Sequence, residues 1–380
     1  MAKIYSYTSI CIDFSSIDYG KLLEQNKSRA SYKFVPEEVI KGMCENLESS
    51  KQWFIDTFKD NYYDYYKYYS NHAGVDALKD IGIDMFCYNF EKKYLDNGIV
   101  SYNFTRDAFY KQKWNELTCK ARGLFIDSET GKIVTRSYDK FFNEDQLTEE
   151  QLHKFEPPFD VSYKENGYLG LLSYNPKTDD FFIATKSVDY GDYKDWFKQI
   201  LEDKKYLTNE LKQYLKENNV TFVFEVIDPE HDSHIIEYDE KQVYLLDIIR
   251  NEFEFKPYSY DELYKVTSKF VIHRKYMYYI ECDCDINYVL RQLKDNDYKI
   301  EGYVIRDKNN KMVKVKLPYY KFWKKVRSYL YNIINYRLNF EDIDKLNESD
   351  EMKNILKYAF DNYYSDISLI AFRKEYENRE

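Results

Sequence analysis

Hydrophobic and polar residues alternate in the middle of the chain in the way that β-strands require. In the segment 221–227 the aromatic and aliphatic side chains fall on one face of an extended chain, and Glu225 falls on the other. Gly131 stands between two further extended segments, 123–127 and 132–136, and therefore predicts a hairpin. The pattern predicts antiparallel sheets in this part of the chain.

Apolar residues spaced three and four positions apart predict helices elsewhere. One amphipathic helix is predicted over 195–217, and the whole of 319–380 has helical spacing without a strand pattern. Towards the N-terminus, 4–14 has the pattern of a strand, whereas 35–40 and 61–69 are typical of helix. Short strands with one long helical insert are typical of an α+β domain built on antiparallel sheets.

These patterns divide the chain into three zones. Residues 1–97 form an N-terminal extension in which no chemical motif stands out, so its role is unknown. Residues 98–318 carry the strands and form the predicted α+β domain. Residues 319–380 form a small, all-helical C-terminal region.

The net charge of −10 excludes a protein that holds nucleic acid by its overall charge alone. It does not exclude a local basic surface, because the segment 308–340 contains nine lysines and arginines but no aspartate or glutamate. This basic segment is a candidate path for a nucleic-acid strand. A solvated basic helix is the alternative interpretation.

Apolar runs are too short for a membrane-spanning helix, and the start of the sequence lacks the apolar core of a signal peptide. The six cysteines are scattered without the paired spacing of a zinc site, which also argues against a disulfide framework. Reduced thiols fit a cytoplasmic protein, and that is the location that we expect.

The tetrapeptide Lys164-Glu-Asn-Gly167 places a lysine beside a glycine, immediately before an apolar segment. A lysine whose surroundings lower its pKa supplies a neutral amine and can act as a covalent nucleophile. The tetrapeptide alone is equally compatible with an ordinary surface lysine, so other residues have to decide between the two interpretations.

Two lysines and two carboxylates occupy segments that are otherwise apolar. A strand over 312–317 places Lys314 and Lys316 on one face, where they suit an anion or, alternatively, a solvated sheet edge. Glu225 and Glu301 suit a ribose hydroxyl or a hydrated metal ion or, alternatively, a surface position.

Taken in order, these residues belong to a series that is far more specific than any of its members. The series is Arg122-Gly, Lys140-Phe-Phe-Asn, Lys164-Glu-Asn-Gly, Lys186-Ser, Phe-Glu225, Glu301-Gly-Tyr-Val and Lys314-Val-Lys316. Over roughly 101–325 the chain resembles covalent nucleotidyltransferases, and most closely the RNA ligase 1 family of bacteriophage T4 type. The segment 224–234 and the later Tyr320 and Trp323 also resemble fungal-type tRNA ligases. Asn166 stands where the phage enzymes usually carry aspartate, as it does in tRNA ligases of the fungal and plant kind.

The resemblance implies an ATP-grasp-like nucleotidyltransferase domain in which Lys164 attacks the α-phosphate of ATP and becomes lysyl-AMP. It also implies that Glu225 holds the ribose of the nucleotide, with Tyr102 and Gly167 lying along it. ATP is therefore the expected cofactor. A hydrated Mg²⁺, or Mn²⁺ in its place, is expected at Glu301 and Glu225.

The remaining positions of the series imply contacts with phosphate groups. Arg122 and Lys140 are expected to grip the departing pyrophosphate, in a pocket that Phe142 helps to wall. The lysines expected to neutralise the α-phosphate are Lys186, Lys314 and Lys316. These cations and the metal ion would also help to keep the nucleophilic amine neutral.

The activity implied by the resemblance is joining of 5′-phosphate and 3′-hydroxyl RNA ends in RNA repair, with broken tRNA as a possible substrate. The residues expected to contact RNA are Lys321, Lys324, Lys325 and Arg327, with aromatic side chains between them. The family further implies a monomer without membrane attachment.

Two other enzymes share the lysyl-nucleotide chemistry, DNA ligase and mRNA-capping guanylyltransferase. Both typically continue after the last lysine pair into an OB-type β-barrel, whereas the segment after Lys316 has the pattern of helices. A catalytically inactive RNA-binding homologue is an alternative from a different class, and Asn166 is the residue that would suggest it.

Overall fold

The computed structural model describes residues 90–379, apart from 233, 282–283, 336 and 364–366. The predictions for 4–14, 35–40 and 61–69 lie outside the described residues. The chain divides into two units, one of Met1–Tyr88 with Asp127–Lys132 and one of Asn89–Ile126 with Ile133–Glu380. The second unit contains every residue of the series described above.

Thirteen strands lie in the described residues. They are β1 (Phe90–Tyr94), β2 (Ile99–Phe104), β3 (Leu124–Asp127), β4 (Ile133–Arg136), β5 (Phe142–Asn143), β6 (Phe159–Lys164), β7 (Tyr168–Asn175), β8 (Asp180–Thr185), β9 (Val220–Ile227), β10 (Gln242–Arg250), β11 (Met277–Ile280), β12 (Gly302–Arg306) and β13 (Met312–Lys316). The predicted strand over 221–227 and the predicted hairpin are therefore confirmed, the hairpin as β3 and β4.

Ten α-helices lie in the same part of the chain. They are α1 (Arg106–Tyr110), α2 (Glu116–Lys120), α3 (Glu149–Leu152), α4 (Asp192–Asp203), α5 (Asn209–Asn218), α6 (Tyr260–Phe270), α7 (Ile286–Lys294), α8 (Pro318–Ile334), α9 (Asp350–Asn362) and α10 (Leu369–Glu377). Pro318 begins α8, where a proline costs no helical hydrogen bond. The helical character predicted after residue 318 is confirmed.

The strands form three sheets, with the orders β1-β2-β3-β4, β10-β9-β7-β8 and β11-β6-β12-β13-β5. Neighbours in the second sheet are antiparallel, and the third sheet is antiparallel except for its last pair, β13 and β5. Antiparallel sheets with separate helices confirm the α+β class that the sequence predicted.

Each sheet has a face that is covered by apolar side chains from another layer. The first two sheets share one core, in which Phe125 meets Leu171 and Val223. Helices α4, α5 and α6 cover the opposite face of the second sheet, and α7 covers the third sheet. Strand β9 is consequently buried on both of its faces, unlike the half-exposed strand that its alternation suggests.

The three C-terminal helices have a core of their own. It contains Trp323 and Leu330 of α8, and it also includes Ile235 and Ile236 from the segment after β9. Among the described residues, no helix combines the length and the apolar character needed to cross a membrane.

Two predictions made from the sequence are wrong in detail. The helix predicted over 195–217 is two helices, α4 and α5, because Lys205 adopts a left-handed backbone with φ of 58° and ends the first of them. Thr208 then caps α5 by accepting a hydrogen bond from the backbone N–H of Leu211 at 3.1 Å. The expectation that the thiols are reduced fails at Cys284, which is disulfide-bonded, whereas Cys119 is free.

Candidate functional site

Lys164 ends β6 at the point where the chain crosses from the third sheet to the second. Strand β12 pairs with β6 so that Gly302 lies opposite Lys164, which brings Glu301 beside the lysine. The Lys164 Nζ lies 3.0 Å from Glu301 Oε2. After the crossing, Gly167 leads into β7, and a Cβ there would lie only 2.1 Å from the carbonyl oxygen of Val226. Only glycine therefore fits at this position.

Glu301 is the centre of a group of polar contacts. Its side chain is 3% exposed, and its Oε1 lies 3.1 Å from Lys316 Nζ while Oε2 pairs with Lys164. The Asn166 Nδ2 donates to Oε2 at 3.1 Å. Burial alone would raise the pKa of Glu301, but the two lysines outweigh it and hold the pKa below its usual range. Glu301 is therefore ionised.

The charge on Lys164 differs from the expectation of a neutral amine. Burial alone would lower the pKa of Lys164, but the carboxylates of Glu301 and Glu225 outweigh that effect and raise the pKa above its usual value. The amine is thus a protonated ammonium in the free protein. It has to lose a proton before it can act as a nucleophile.

Glu225 approaches the same amine from β9. Its Oε1 accepts a hydrogen bond from the backbone N–H of Gly167 at 2.9 Å, which ties the loop after Lys164 to the second sheet. Burial raises the pKa of Glu225, although the charge of Lys164 opposes it. Two carboxylates from two sheets therefore flank one lysine.

Four of the predicted phosphate-binding cations lie near one another and are half-buried. They are Arg122 before β3, Lys140 before β5, Lys186 after β8 and Lys314 in β13. Burial lowers the pKa of Lys314 to about 6, and the charges of Arg122 and Lys140 contribute to that decrease. Burial, followed by the charge of Arg122, lowers the pKa of Lys140 to about 8 and also lowers that of Lys186. A group of mutually repelling, half-buried cations is what a polyphosphate stabilises.

Aromatic rings line this group of cations. Lys140 Nζ lies 4.1 Å from the ring centroid of Phe142, and Lys314 Nζ lies 4.2 Å from that of Phe141. Lys186 Nζ lies 4.9 Å from the ring centroid of Phe104. The rings of Phe142 and Phe104 hold the ammonium groups of Lys140 and Lys186 by cation–π attraction without neutralising their charge, whereas the Lys314 amine, with a pKa of about 6, gains its charge when an anion binds.

Tyr102 is placed differently from the rest of the series. It lies in β2 with only 1% of its surface exposed, and Lys92 Nζ of the neighbouring strand lies 5.5 Å from its ring centroid. Strand β2 itself reaches the region of Lys186, because the Ser101 hydroxyl donates to the Ser187 carbonyl at 2.8 Å. The contact between Tyr102 and a nucleotide stays a prediction.

The four cations predicted to contact RNA all lie in α8, but they differ in their surroundings. Lys321 Nζ lies 3.4 Å from Glu144 Oε1, and Lys325 Nζ lies 2.6 Å from Glu348 Oε1. The carboxylates partly neutralise these two lysines. An RNA phosphate would have to compete with them for the same ammonium groups.

Lys324 and Arg327 lie three residues apart in α8, and charges of the polar group around Glu301 act on Lys324. Burial lowers the pKa of Lys324, and the charges of Lys316 and Arg327 lower it further, while Glu301 opposes them. Lys316 Nζ lies 4.8 Å from the ring centroid of Tyr320, which precedes Lys324 by about one turn of the same helix. The structure therefore joins the N-terminal part of α8 to the surroundings of Lys164.

The segment after β9 hydrogen-bonds Asn166 in the candidate site, and the sequence did not predict these contacts. The Oδ1 of Asn166 accepts hydrogen bonds from the backbone N–H groups of Ile235 at 2.9 Å and Ile236 at 3.2 Å. The Tyr238 hydroxyl accepts from the backbone N–H of Asn166 at 2.7 Å. No pattern in 235–238 indicates these contacts, and the only signal was the asparagine itself.

A second polar group lies at the end of β9. Asp228, Glu230 and His231 bring three possible metal-ligand atoms within 4.8 Å of one another. Lys241 Nζ lies 2.6 Å from Glu230 Oε2, and the His231 ring stacks on Trp196 at 4.5 Å. The lysine and the stacked tryptophan ring already contact two of these three side chains.

The chain belongs to the RNA ligase family. The family model described as RNA ligase matches residues 120–320, which is more than half of the 380 residues. This match confirms the resemblance to the RNA ligase 1 family of T4 type. It covers Lys140, Lys164, Glu225, Glu301 and Lys314.

Two curated relatives are tRNA ligases. The tRNA ligase 1 of Schizosaccharomyces pombe is 27% identical over 213 residues, which make up 50% of this chain and 27% of that protein. The tRNA ligase of Candida albicans is 26% identical over 257 residues, which make up 56% of this chain and 30% of that protein. The chain thus spans less than a third of the length of either relative.

Among solved structures, an archaeal ATP-dependent RNA ligase is similar to this chain at 15% identity, with a TM-score of 0.47. The alignment covers 81% of this chain and 76% of the archaeal chain.

Proposed function

We propose that the protein is an ATP-dependent RNA ligase that joins a 5′-phosphate end to a 3′-hydroxyl end through a lysyl-AMP intermediate on Lys164. One observation carries the proposal. In a chain of the RNA ligase family, the Lys164 amine lies 3.0 Å from Glu301, is coupled to Glu225 and faces a group of half-buried cations.

In the first step the Lys164 ammonium releases a proton to solvent, and the neutral amine attacks the α-phosphorus of ATP. A P–N bond forms while the P–O bond to pyrophosphate breaks. Glu301 holds the amine in place before attack, because its carboxylate is ionised and 3.0 Å away. Negative charge spreads over the phosphate oxygens in such transfers, so positioning and electrostatic stabilisation dominate the acceleration.

In the proposal, some of the half-buried cations bind the β- and γ-phosphates of ATP and the others bind its α-phosphate. Arg122 and Lys140 bind the β- and γ-phosphates and Phe142 lines their pocket, while Glu225 holds the ribose. Gly167 allows the nucleotide to approach the backbone, and Tyr102 lies along it. The lysines assigned to the α-phosphate are Lys186, Lys314 and Lys316.

The carboxylates fit a divalent ion that keeps its own water molecules. Glu225 and Glu301 offer the oxygen ligands that Mg²⁺ and Mn²⁺ favour. The oxygens of Glu301 already contact Lys164, Lys316 and Asn166, so contact through water suits this carboxylate better than direct ligation. When bound, the ion supplies positive charge to the polyphosphate.

The proposal assigns parts of the chain to parts of the reaction. Residues 98–318 form the adenylyltransferase domain and 319–380 form a helical region that contacts RNA, while 1–97 have no assigned role. Within α8, Lys324 is the first candidate for an RNA phosphate, because Lys321 and Lys325 have acidic partners, and Arg327 is kept as a further predicted contact. The relation to tRNA ligases makes broken tRNA the substrate to test first.

The proposal is tested with a nicked anticodon stem-loop that carries 5′-phosphate and 3′-hydroxyl ends. We expect the protein to seal it with ATP and Mg²⁺, and we expect Lys164→Ala to seal nothing. The same hairpin with 5′-hydroxyl or 3′-phosphate ends is the control for end chemistry, and the DNA version is the control for the sugar.

Three results would contradict the proposal, each in favour of a different alternative. Sealing of the DNA hairpin alone indicates a DNA ligase. Covalent label taken from GTP but not from ATP indicates a capping guanylyltransferase. RNA binding without label from either nucleotide indicates an inactive homologue.

A further inference from the structure

Arg373 of α10 links the C-terminal helices to the candidate site. Its guanidinium is buried, with the residue 3% exposed, and Nη1 donates a hydrogen bond to the carbonyl oxygen of Ile235 at 2.8 Å. The guanidinium also lies 5.6 Å from the ring centroid of Tyr319 and 5.5 Å from that of Trp323, both in α8. One side chain of α10 therefore contacts both α8 and the segment after β9.

From Ile235 the contacts continue to the nucleophile. The backbone N–H of Ile235 donates to Asn166 Oδ1 at 2.9 Å, and Asn166 Nδ2 donates to Glu301 Oε2 at 3.1 Å. That same oxygen pairs with Lys164 Nζ at 3.0 Å. Four polar contacts in series thus connect α10 to the amine, and each has the geometry of a normal hydrogen bond or ion pair.

The segment between these partners has little freedom to move independently. Ile235 is fully buried and Ile236 nearly so, both in the core of the C-terminal helices. The Tyr238 hydroxyl, on the same segment, accepts from Asn166 N–H at 2.7 Å and donates to Glu165 Oε2 at 3.0 Å. A displacement of the C-terminal helices would therefore move the loop that carries the nucleophile.

The chemistry of Asn166 explains why an amide occupies this position. One end of the side chain accepts from two N–H groups, and the other end donates to a carboxylate. An aspartate keeps the first function but places a second carboxylate against Glu301. An aspartate there would repel Glu301 instead of holding it by a hydrogen bond.

We propose that Arg373 is a positioning residue for lysyl-AMP formation, acting through Ile235 and Asn166 on Glu301 and Lys164. The C-terminal helical region is then required for the chemistry at Lys164 as well as for contact with RNA. This inference rests on the function proposed above. Because it concerns adenylylation, it predicts an effect in the absence of any RNA.

The test measures self-adenylylation of the full chain by α-labelled ATP without RNA. We expect Arg373→Met to slow the reaction about tenfold at unchanged KM for ATP, since a positioning hydrogen bond is lost while the phosphate-binding cations stay in place. Arg373→Lys keeps a donor and should recover part of the rate. Lys374→Ala is the matched control. Lys374 follows Arg373 in the same helix and, like Arg373, pairs with Glu237, but its side chain is exposed.

A double variant separates positioning from simple loss of stability. Asn166→Asp should also slow adenylylation at unchanged KM for ATP, because the hydrogen bond that holds Glu301 beside Lys164 is lost. Adding Arg373→Met to Asn166→Asp should slow the reaction by less than the product of the two single effects, because both act through the same contacts. Thermal unfolding of every variant shows how much protein is folded in the assay.

Several results would overturn the inference. They are an unchanged rate in Arg373→Met, a loss equal to the unfolded fraction, an unchanged rate in Asn166→Asp, or single effects that multiply in the double variant. If the wild-type protein takes no label, the proposed function itself fails. That outcome is distinct from a labelled wild type with a fully active Arg373→Met variant.

Discussion

Lys314 shows how the candidate site depends on its ligand. In the free protein its pKa is lowered to about 6 by burial and by neighbouring positive charges, so the amine is mostly neutral at neutral pH. A bound polyphosphate supplies the missing negative charge and raises that pKa. The amine should therefore take up a proton when ATP binds.

This uptake can be measured by titration calorimetry with a non-hydrolysable ATP analogue in buffers of different ionisation enthalpy. At about pH 7 we expect binding to consume about one proton, and we expect Lys314→Met to abolish most of that uptake. Binding enthalpies that do not depend on the buffer would contradict the assignment of Lys314 to the phosphates.

Arg122 and Lys140 should accelerate adenylylation of the protein but contribute little to the later sealing of RNA. In the proposal they bind the β- and γ-phosphates, which leave before RNA is sealed. Arg122→Ala or Lys140→Ala should slow adenylylation about 100-fold, as expected when a donor to developing charge is lost. Sealing of pre-adenylated RNA should fall far less. Equal losses in the two assays would refute these roles.

At the residue scale the sequence predicted which side chains come together but not their charges. The proximity of Lys164 to Glu301 followed from the order of motifs. The raised pKa of Lys164 did not follow from the order of motifs. It depends on whether burial, which lowers the pKa, or the two nearby carboxylates, which raise it, have the larger effect. That comparison requires distances, which a sequence does not contain.

At the scale of elements, α8 separates cations that look equivalent in the sequence. Lys324 and Lys325 are adjacent, yet Lys325 pairs with Glu348 at 2.6 Å, whereas burial and the charge of Lys316 lower the pKa of Lys324. Helical geometry turns neighbours by about 100° and so sends them to different surroundings. The acidic partner of Lys325 comes from a distant part of the sequence, so spacing alone could not predict it.

These surroundings predict different effects on RNA binding. Lys324→Ala should weaken RNA binding at moderate salt and reduce the log–log salt slope by roughly one unit, because one phosphate contact is lost. Lys325→Ala, the matched control, should change both quantities less. RNA affinity measured across a salt series checks this, and identical slopes for wild type and Lys324→Ala would show that the residue only faces solvent.

The break between α4 and α5 illustrates a second limit of pattern analysis. The apolar spacing over 195–217 continues across the break, because both helices pack on the same face of the second sheet. Only the left-handed Lys205 and the cap at Thr208 separate them. The position of the break therefore depends on local backbone conformation and hydrogen bonding, which the periodicity of apolar residues does not report.

For the whole molecule, the α+β class and the helical C-terminal region followed from the sequence, since each depends on local periodicity. The meeting of the second and third sheets at Lys164 did not, because it requires pairing of segments as distant as Lys164 and Gly302. The link from Arg373 to Asn166 was equally hidden. Contacts between residues far apart in sequence leave no local pattern.

The most direct test of the account is to find where AMP becomes attached. Wild-type protein incubated with ATP and Mg²⁺, without RNA, should gain the mass of one AMP, and peptide mapping should place it on Lys164 as an acid-labile phosphoramidate. Lys164→Arg should gain no mass, because a guanidinium stays protonated and cannot attack. Attachment at any other residue, or an AMP adduct that persists in Lys164→Arg, would contradict the account.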